Sequence, residues 1–219
     1  MDIKKLENFI NSYPFEKLHY DGWGLHPLAQ VRIVQIIAMI NPKRVIEFGS
    51  GGSTILLLDL RKYLNLEYLI DSFEHNKTFA LNLPEKAYYL NMMYRELLTC
   101  SDNDYEAMFS DKKIYPEKFQ SSAHLKNIPT AKNCFYQVLP DDLKGIYDLV
   151  ILDGPHGNGR SLAYLHLLNH LKSGTFILID DFDHYDFVER CEMVFKIKIH
   201  EKRFCGGITQ DRFAVVQVL

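Results

Sequence analysis

Candidate chemistry in this sequence centres on an acidic residue that precedes a glycine-rich turn. Glu47 lies in an apolar stretch, and residues 49–54 read Gly-Ser-Gly-Gly-Ser-Thr before an apolar segment typical of a helix. Glycine lets a ligand approach the backbone closely, and the first turn of a helix offers unpaired N–H groups. The spacing therefore predicts a strand, a turn and a helix that together hold a nucleotide-like ligand.

Further acidic residues stand at the ends of the other predicted strands. Ligands bind at the carboxyl ends of the strands in open parallel sheets. Each acid alone could simply cap a helix, but a cluster is costly unless a cation, a sugar or a metal shares the site. The cluster comprises Glu47, Glu74, Asp153, Asp180 and Asp181, and His156 lies in a glycine-rich turn beside Asp153.

The glycine spacing separates two kinds of ligand. A dinucleotide fingerprint requires a third glycine at the position that Thr54 occupies, where it would let helix and strand pack closely. A carboxylate at Glu47 also suits a cationic or hydroxyl-bearing ligand better than a pyrophosphate. A dinucleotide-binding oxidoreductase and a non-catalytic cofactor-binding protein remain as alternatives to the interpretation that follows.

Residues 47–54 resemble the first motif of class I S-adenosylmethionine-dependent methyltransferases, in which an acidic residue precedes a glycine-rich turn. The Asp-Gly-Pro turn that begins at Asp153 and the pair Asp180-Asp181 resemble one branch of these enzymes. The resemblance implies a doubly wound, Rossmann-like α/β fold with a mostly parallel seven-stranded sheet and an antiparallel last strand. It also implies methyl transfer from S-adenosylmethionine to an oxygen nucleophile.

The same resemblance implies roles for individual residues. Glu47 and the turn would hold the amino acid part of the cofactor, Glu74 would accept the ribose hydroxyls, and Asp153 with Asp181 would line the acceptor side. The implied cofactor-binding residues are Glu47, Gly49, Ser50, Gly51, Ser53, Thr54, Glu74 and Asp153.

Two catalytic schemes are open at this point. In related metal-dependent O-methyltransferases, acids at these strand ends hold a magnesium-type ion, which makes Asp153, Asp180 and Asp181 candidate ligands for Mg²⁺ or another divalent cation. Such an ion would lower the pKa of an acceptor hydroxyl. In the metal-free scheme, His156 or one of the aspartates Asp153 and Asp181 is the general base.

The apolar pattern predicts the strands and helices that must position these residues. Continuous apolar runs at 147–153 and 175–181 are typical of strands buried on both faces of a parallel sheet. An amphipathic helix is predicted over 161–171, and a third strand within 88–97. We expect one domain over 1–219, with a helical N-terminal segment 1–42 and an insertion at 99–130 that acts as a lid over the acceptor.

Composition restricts the function classes further. The chain has 219 residues and a net charge of −3, which gives no broad attraction for nucleic acid or acidic membranes. Four scattered cysteines and an N-terminus without a secretory pattern predict a cytoplasmic protein that contacts no membrane. The expected partner is a small-molecule or glycan acceptor, and the sequence does not define the oligomeric state.

Overall fold

The computed structural model describes residues 2–18, 24–77, 88–122, 132–204 and 212–219. Its main feature is a seven-stranded sheet in the order β3-β2-β1-β7-β8-β10-β9. The strands of this sheet are β1 Arg44–Phe48, β2 Leu69–Glu74, β3 Leu90–Tyr94, β7 Leu149–Leu152, β8 Phe176–Asp180, β9 Ile197–Arg203 and β10 Phe213–Val218. Strands β3, β2, β1, β7 and β8 pair in parallel, and β10 is antiparallel to both of its neighbours. The predicted fold class is therefore confirmed.

Helices cover both faces of this sheet. They are α1 Ile3–Ser12, α2 Pro27–Ile40, α3 Gly52–Leu64, α4 Asp102–Asp111, α5 Leu162–His166 and α6 Phe187–Val194. Alternate residues of one strand point to opposite faces, so Val45 packs in the core with α1, α2 and α3, whereas Ile46 packs in the core with α4, α5 and α6. No helix among the described residues is long and apolar enough to cross a membrane.

The helix predicted over 161–171 is shorter than expected. A 3₁₀ segment at Asn158–Ser161 leads into α5, which ends at His166. His170 instead bonds to the segment just before β7. Its carbonyl accepts from the Tyr147 N–H at 2.9 Å, and its Nδ1 lies 2.8 Å from the Gly145 carbonyl. Tertiary hydrogen bonds at the start of β7 thus replace the last helical turn.

The segment between β3 and β7 forms a second, smaller sheet in the order β5-β4-β6. Its strands are β4 Leu97–Thr99, β5 Gln120–Ser121 and β6 Cys134–Tyr136. Within the predicted lid, α4 buries Tyr105, Met108 and Phe109 in the same core as the main sheet. This packing makes α4 a fixed part of the fold. The lid function stays a prediction, and 123–130 lie outside the described residues.

Candidate active site

The glycine-rich turn joins β1 to α3 and brings the ends of three strands together. The Gly49 N–H donates to the Phe73 carbonyl at 3.0 Å, next to the end of β2. A Cβ added at Gly49 would lie 2.7 Å from the backbone nitrogen of Gly154, just beyond β7, and Gly49 has φ +97°. Only glycine fits this contact without a shift. The turn therefore lies directly against the Asp-Gly-Pro segment.

Glu47 is fully buried beneath this turn. The Ser53 hydroxyl donates to its Oε2 at 2.7 Å, and the Thr54 hydroxyl donates to its Oε1. The Gly51 N–H donates to the same Thr54 oxygen at 3.1 Å. Burial raises the pKa of Glu47 to about 7, although these hydroxyls act against the shift. Glu47 thus fixes the first turn of α3, and its direct contact with a cofactor stays a prediction.

Glu74 lies at the end of β2 and is only 3% exposed. It accepts three backbone N–H groups, from Ser50 at 3.1 Å, His75 at 2.7 Å and Asn76 at 2.6 Å. The first of these bonds ties the carboxylate directly to the glycine-rich turn. His75 Nδ1 also lies 3.0 Å from Oε1, so three contacts converge on that oxygen. A carboxylate oxygen has about two lone-pair positions, so Oε2, which accepts the Ser50 N–H, can accept one ligand hydroxyl.

Asp153 and Asp180 lie together at the ends of β7 and β8. Their side chains share a hydrogen bond, and burial followed by mutual repulsion raises the pKa of Asp180 well above its usual range. Burial also raises the pKa of Asp153, whereas the Arg160 guanidinium lowers it. Two carboxyl groups this close do not both ionise at neutral pH. Burial and repulsion within the pair therefore favour the protonated form of Asp180.

Arg160 is a buried cation that the sequence interpretation missed. It is 2% exposed and donates to the carbonyls of Pro155 at 3.1 Å, Asp153 at 2.9 Å and Asp180 at 2.8 Å. These bonds connect the turn after β7 with the end of β8. The sequence signal for this role is an arginine directly after the glycine-containing segment 153–159, because a guanidinium can donate to several carbonyls.

Asp181 has a different environment from its neighbour. Arg212 donates from Nη2 to Asp181 Oδ1 at 2.7 Å and also contacts His184 Nε2. The rings of His184 and His156 lie 6.2 Å apart in an edge-to-face arrangement. Burial, followed by repulsion from Arg160, lowers the pKa of His156, whereas Asp181 raises it. His156 is therefore neutral near pH 7 and can accept a proton.

The aspartates that the sequence resemblance implies as ligands of a divalent cation have other partners in this structure. Asp153 is hydrogen-bonded to Asp180, and Asp181 is paired with Arg212. Within the part of the chain that the structure describes, no group of three or more His, Cys, Asp or Glu residues could hold a metal ion. The three aspartates lie at neighbouring strand ends as expected, and their role as metal ligands stays a prediction.

Two buried polar atoms at the turn lack hydrogen-bond partners among the described residues. They are Ser50 Oγ, on the turn itself, and Tyr136 Oη, at the end of β6. Buried polar groups almost always have hydrogen-bond partners. The two atoms therefore favour a site in which a bound ligand supplies the partners. Tyr136 was missed because β6 is a short apolar strand that carries no sequence signal for ligand binding.

A cavity of about 460 Å³ lies beneath the smaller sheet, and Tyr136 lines its wall. Its other walls are mostly apolar, with Leu98, Phe119 and Leu143 among the lining residues. His166 also lines it, and burial lowers the pKa of this imidazole to about 4. The lining is therefore mostly apolar, and the cavity has the size of a small-molecule pocket.

Comparison with known proteins places this site in a family. The family profile described as a methyltransferase domain matches residues 46–182, which is more than half of the chain. This range includes the glycine-rich turn, the strand-end acids and the turn that holds His156. No curated protein matches the sequence.

Solved structures support the same fold at low identity. A candidate O-methyltransferase from Klebsiella pneumoniae is 15% identical over 98% of this chain and 89% of its own, with a TM-score of 0.53. TomG, an O-methyltransferase from Streptomyces achromogenes solved with S-adenosylmethionine, is 12% identical over 100% and 91%, with a TM-score of 0.51. An O-methyltransferase from Bacillus cereus in complex with S-adenosylhomocysteine is 12% identical over 100% and 92%, also at 0.51. The chain belongs to the methyltransferase-domain family and has the class I fold of S-adenosylmethionine-dependent methyltransferases.

Proposed function

We propose that this protein transfers a methyl group from S-adenosylmethionine to an oxygen nucleophile of a small molecule. Family membership supports the reaction class, and O-methyltransferases among the structural neighbours support the acceptor atom. The observation that carries the proposal is the close contact of Gly49 with Gly154, beside buried polar atoms on Ser50 and Tyr136 that lack partners among the described residues. We take these features together as the cradle of the cofactor that the sequence resemblance implies.

Different residues of the cradle would bind different parts of the cofactor. Backbone groups of the Gly49–Thr54 turn would hold the amino acid part, and Glu74 would accept the ribose hydroxyls. Glu47 would act from beneath by fixing the turn through Ser53 and Thr54. When bound, the cofactor supplies a methyl group already activated by its sulfonium. The protein then has to align the acceptor oxygen and remove its proton.

His156 is the best-supported general base among the predicted catalytic residues. Its pKa is lowered, so the imidazole is available to accept a proton at neutral pH. Asp181 is already paired with Arg212, and burial raises the pKa of Asp153, whose side chain is hydrogen-bonded to Asp180. We therefore assign Asp153 and Asp181 to shaping the acceptor side and give proton removal to His156, without a step through a metal ion.

The surroundings favour a small-molecule acceptor over a glycan. The lining of the cavity beside Tyr136 is mostly apolar, whereas a glycan would need many polar partners. A net charge of −3 offers no general attraction for nucleic acid. The described cysteines Cys100, Cys134 and Cys191 carry free thiols, which supports a reducing, cytoplasmic setting.

Calorimetric titration tests the proposal. The protein is titrated separately with S-adenosylmethionine, S-adenosylhomocysteine and NAD⁺, the last as the ligand of the alternative oxidoreductase. We expect binding of the first two and none of NAD⁺. Glu74→Gln should weaken S-adenosylhomocysteine binding at least tenfold by mismatching a buried hydrogen-bond site, whereas the exposed Glu67→Gln should not. The proposal would be overturned if the wild type bound neither S-adenosylmethionine nor S-adenosylhomocysteine.

A further inference from the structure

Tyr136 is a rigidly held side chain whose hydroxyl has no assigned task. The residue is 2% exposed, and its ring packs against Phe48 at 6.1 Å, Phe73 at 5.9 Å and Phe135 at 5.4 Å between ring centroids. The His75 ring lies 6.0 Å away on the cradle side. Four aromatic neighbours therefore fix where the phenolic oxygen points.

That oxygen lies at the cofactor cradle. A Cβ added at Gly154 would be 2.6 Å from Tyr136 Oη, which places the hydroxyl directly against the Asp-Gly-Pro turn. The ring also packs on Phe73, in β2, and on His75, just beyond the end of that strand. The hydroxyl thus lies between the end of β2 and the turn that follows β7.

None of these neighbours satisfies the hydroxyl. Tyr136 Oη is buried without a hydrogen-bond partner within the described ranges. Glu74 is engaged by backbone N–H groups, and Asp153 is bonded to Asp180. Burial and the carboxylates raise the pKa of Tyr136 well above its usual range, so the phenol keeps its proton. A fixed O–H donor therefore faces a ligand cradle without an acceptor.

We propose that Tyr136 is a cofactor-binding residue, whose hydroxyl donates a hydrogen bond to an oxygen or nitrogen atom of the bound cofactor between Glu74 and Asp153. The inference rests on the proposed function, since it takes the ligand to be S-adenosylmethionine. It also gives the smaller sheet a role, because β6 supplies a wall of the cofactor site as well as a residue that lines the apolar cavity.

The structure offers a matched control for the test. Tyr164 is also fully buried, and its hydroxyl also lacks a partner among the described residues. It lies on α5, in the core that this helix shares with α4 and α6. Tyr136→Phe and Tyr164→Phe therefore remove the same atom from similar surroundings, and only the first removal is at the cradle.

The experiment measures S-adenosylhomocysteine affinity by calorimetry and ligand-free melting temperature for wild type and both variants. Tyr136→Phe should weaken binding about five- to tenfold, the effect of one neutral hydrogen bond, without lowering the melting temperature. Tyr164→Phe should leave binding unchanged. Equal affinity of Tyr136→Phe and wild type would overturn the inference alone, as would equal losses in both variants. A wild type that does not bind S-adenosylhomocysteine would instead overturn the proposed function.

Discussion

Glu47 gives the protein a pH-dependent stability that can be measured independently of any ligand. Burial raises the pKa of this carboxyl from 4.5 to about 7 in the folded state, whereas the unfolded chain exposes it. The folded protein therefore binds more protons than the unfolded chain between these values. Stability from this group is fully present below pH 4.5 and is lost as the pH rises through about 7.

The magnitude follows from the two pKa values. Between pH 5 and pH 9 the linkage corresponds to a loss of about 2.5 kcal/mol in the free energy of unfolding. Glu47→Gln removes the titrating group but keeps an amide oxygen for one of the two hydroxyl donors, Ser53 or Thr54. Between pH 5 and pH 9, the free energy of unfolding of the variant should therefore rise by about 2.5 kcal/mol relative to that of wild type, whatever the difference between the two proteins at pH 5.

Urea unfolding at a series of pH values is the assay. The difference in free energy of unfolding between Glu47→Gln and wild type is plotted against pH, with the exposed Glu67→Gln as control. The control difference should stay flat. A flat difference for Glu47→Gln as well would refute the reasoning, since it would mean that Glu47 titrates alike in the folded and unfolded protein.

Three further predictions concern the site. His156→Gln should lower kcat about 10²- to 10⁴-fold and leave the affinity for S-adenosylhomocysteine unchanged. The acid limb of the wild-type pH–rate profile should lie below pH 6.5, because the pKa of His156 is lowered. An acid limb above pH 6.5 would exclude His156 as the base. Gly154→Ala should cost about 1–3 kcal/mol in urea unfolding, because its Cβ would lie 2.6 Å from Tyr136 Oη and 2.9 Å from Gly49 Cα; full stability would contradict this packing. Chelation with EDTA should leave methyl transfer unchanged, and a loss that Mg²⁺ restores would reinstate Asp153 and Asp181 as ligands.

The sequence predicted the parts of the fold that depend on local pattern. The strand, glycine-rich turn and helix predicted around Glu47 are found as β1, the turn and α3, because an apolar run and the glycines mark them in the sequence. The acids at the ends of β2, β7 and β8 could be placed together because parallel strands align their carboxyl ends.

The remainder depends on contacts between residues distant in the chain. Pairing of Leu97–Thr99 with Cys134–Tyr136 leaves no local signature, so the smaller sheet and Tyr136 were missed. The same holds for the pairing of Asp181 with Arg212, which lie 31 positions apart. Sequence reasoning identified Asp181 as a candidate ligand, but its charge partner is set by the antiparallel β10.

A crystal structure of the protein grown with S-adenosylhomocysteine tests the central claim most directly. The account predicts the amino acid part of the ligand over the Gly49–Thr54 turn, the ribose hydroxyls within hydrogen-bond distance of Glu74, and Tyr136 Oη donating to the ligand. Ligand density elsewhere, or a ribose that contacts neither Glu74 nor the turn, would contradict the account.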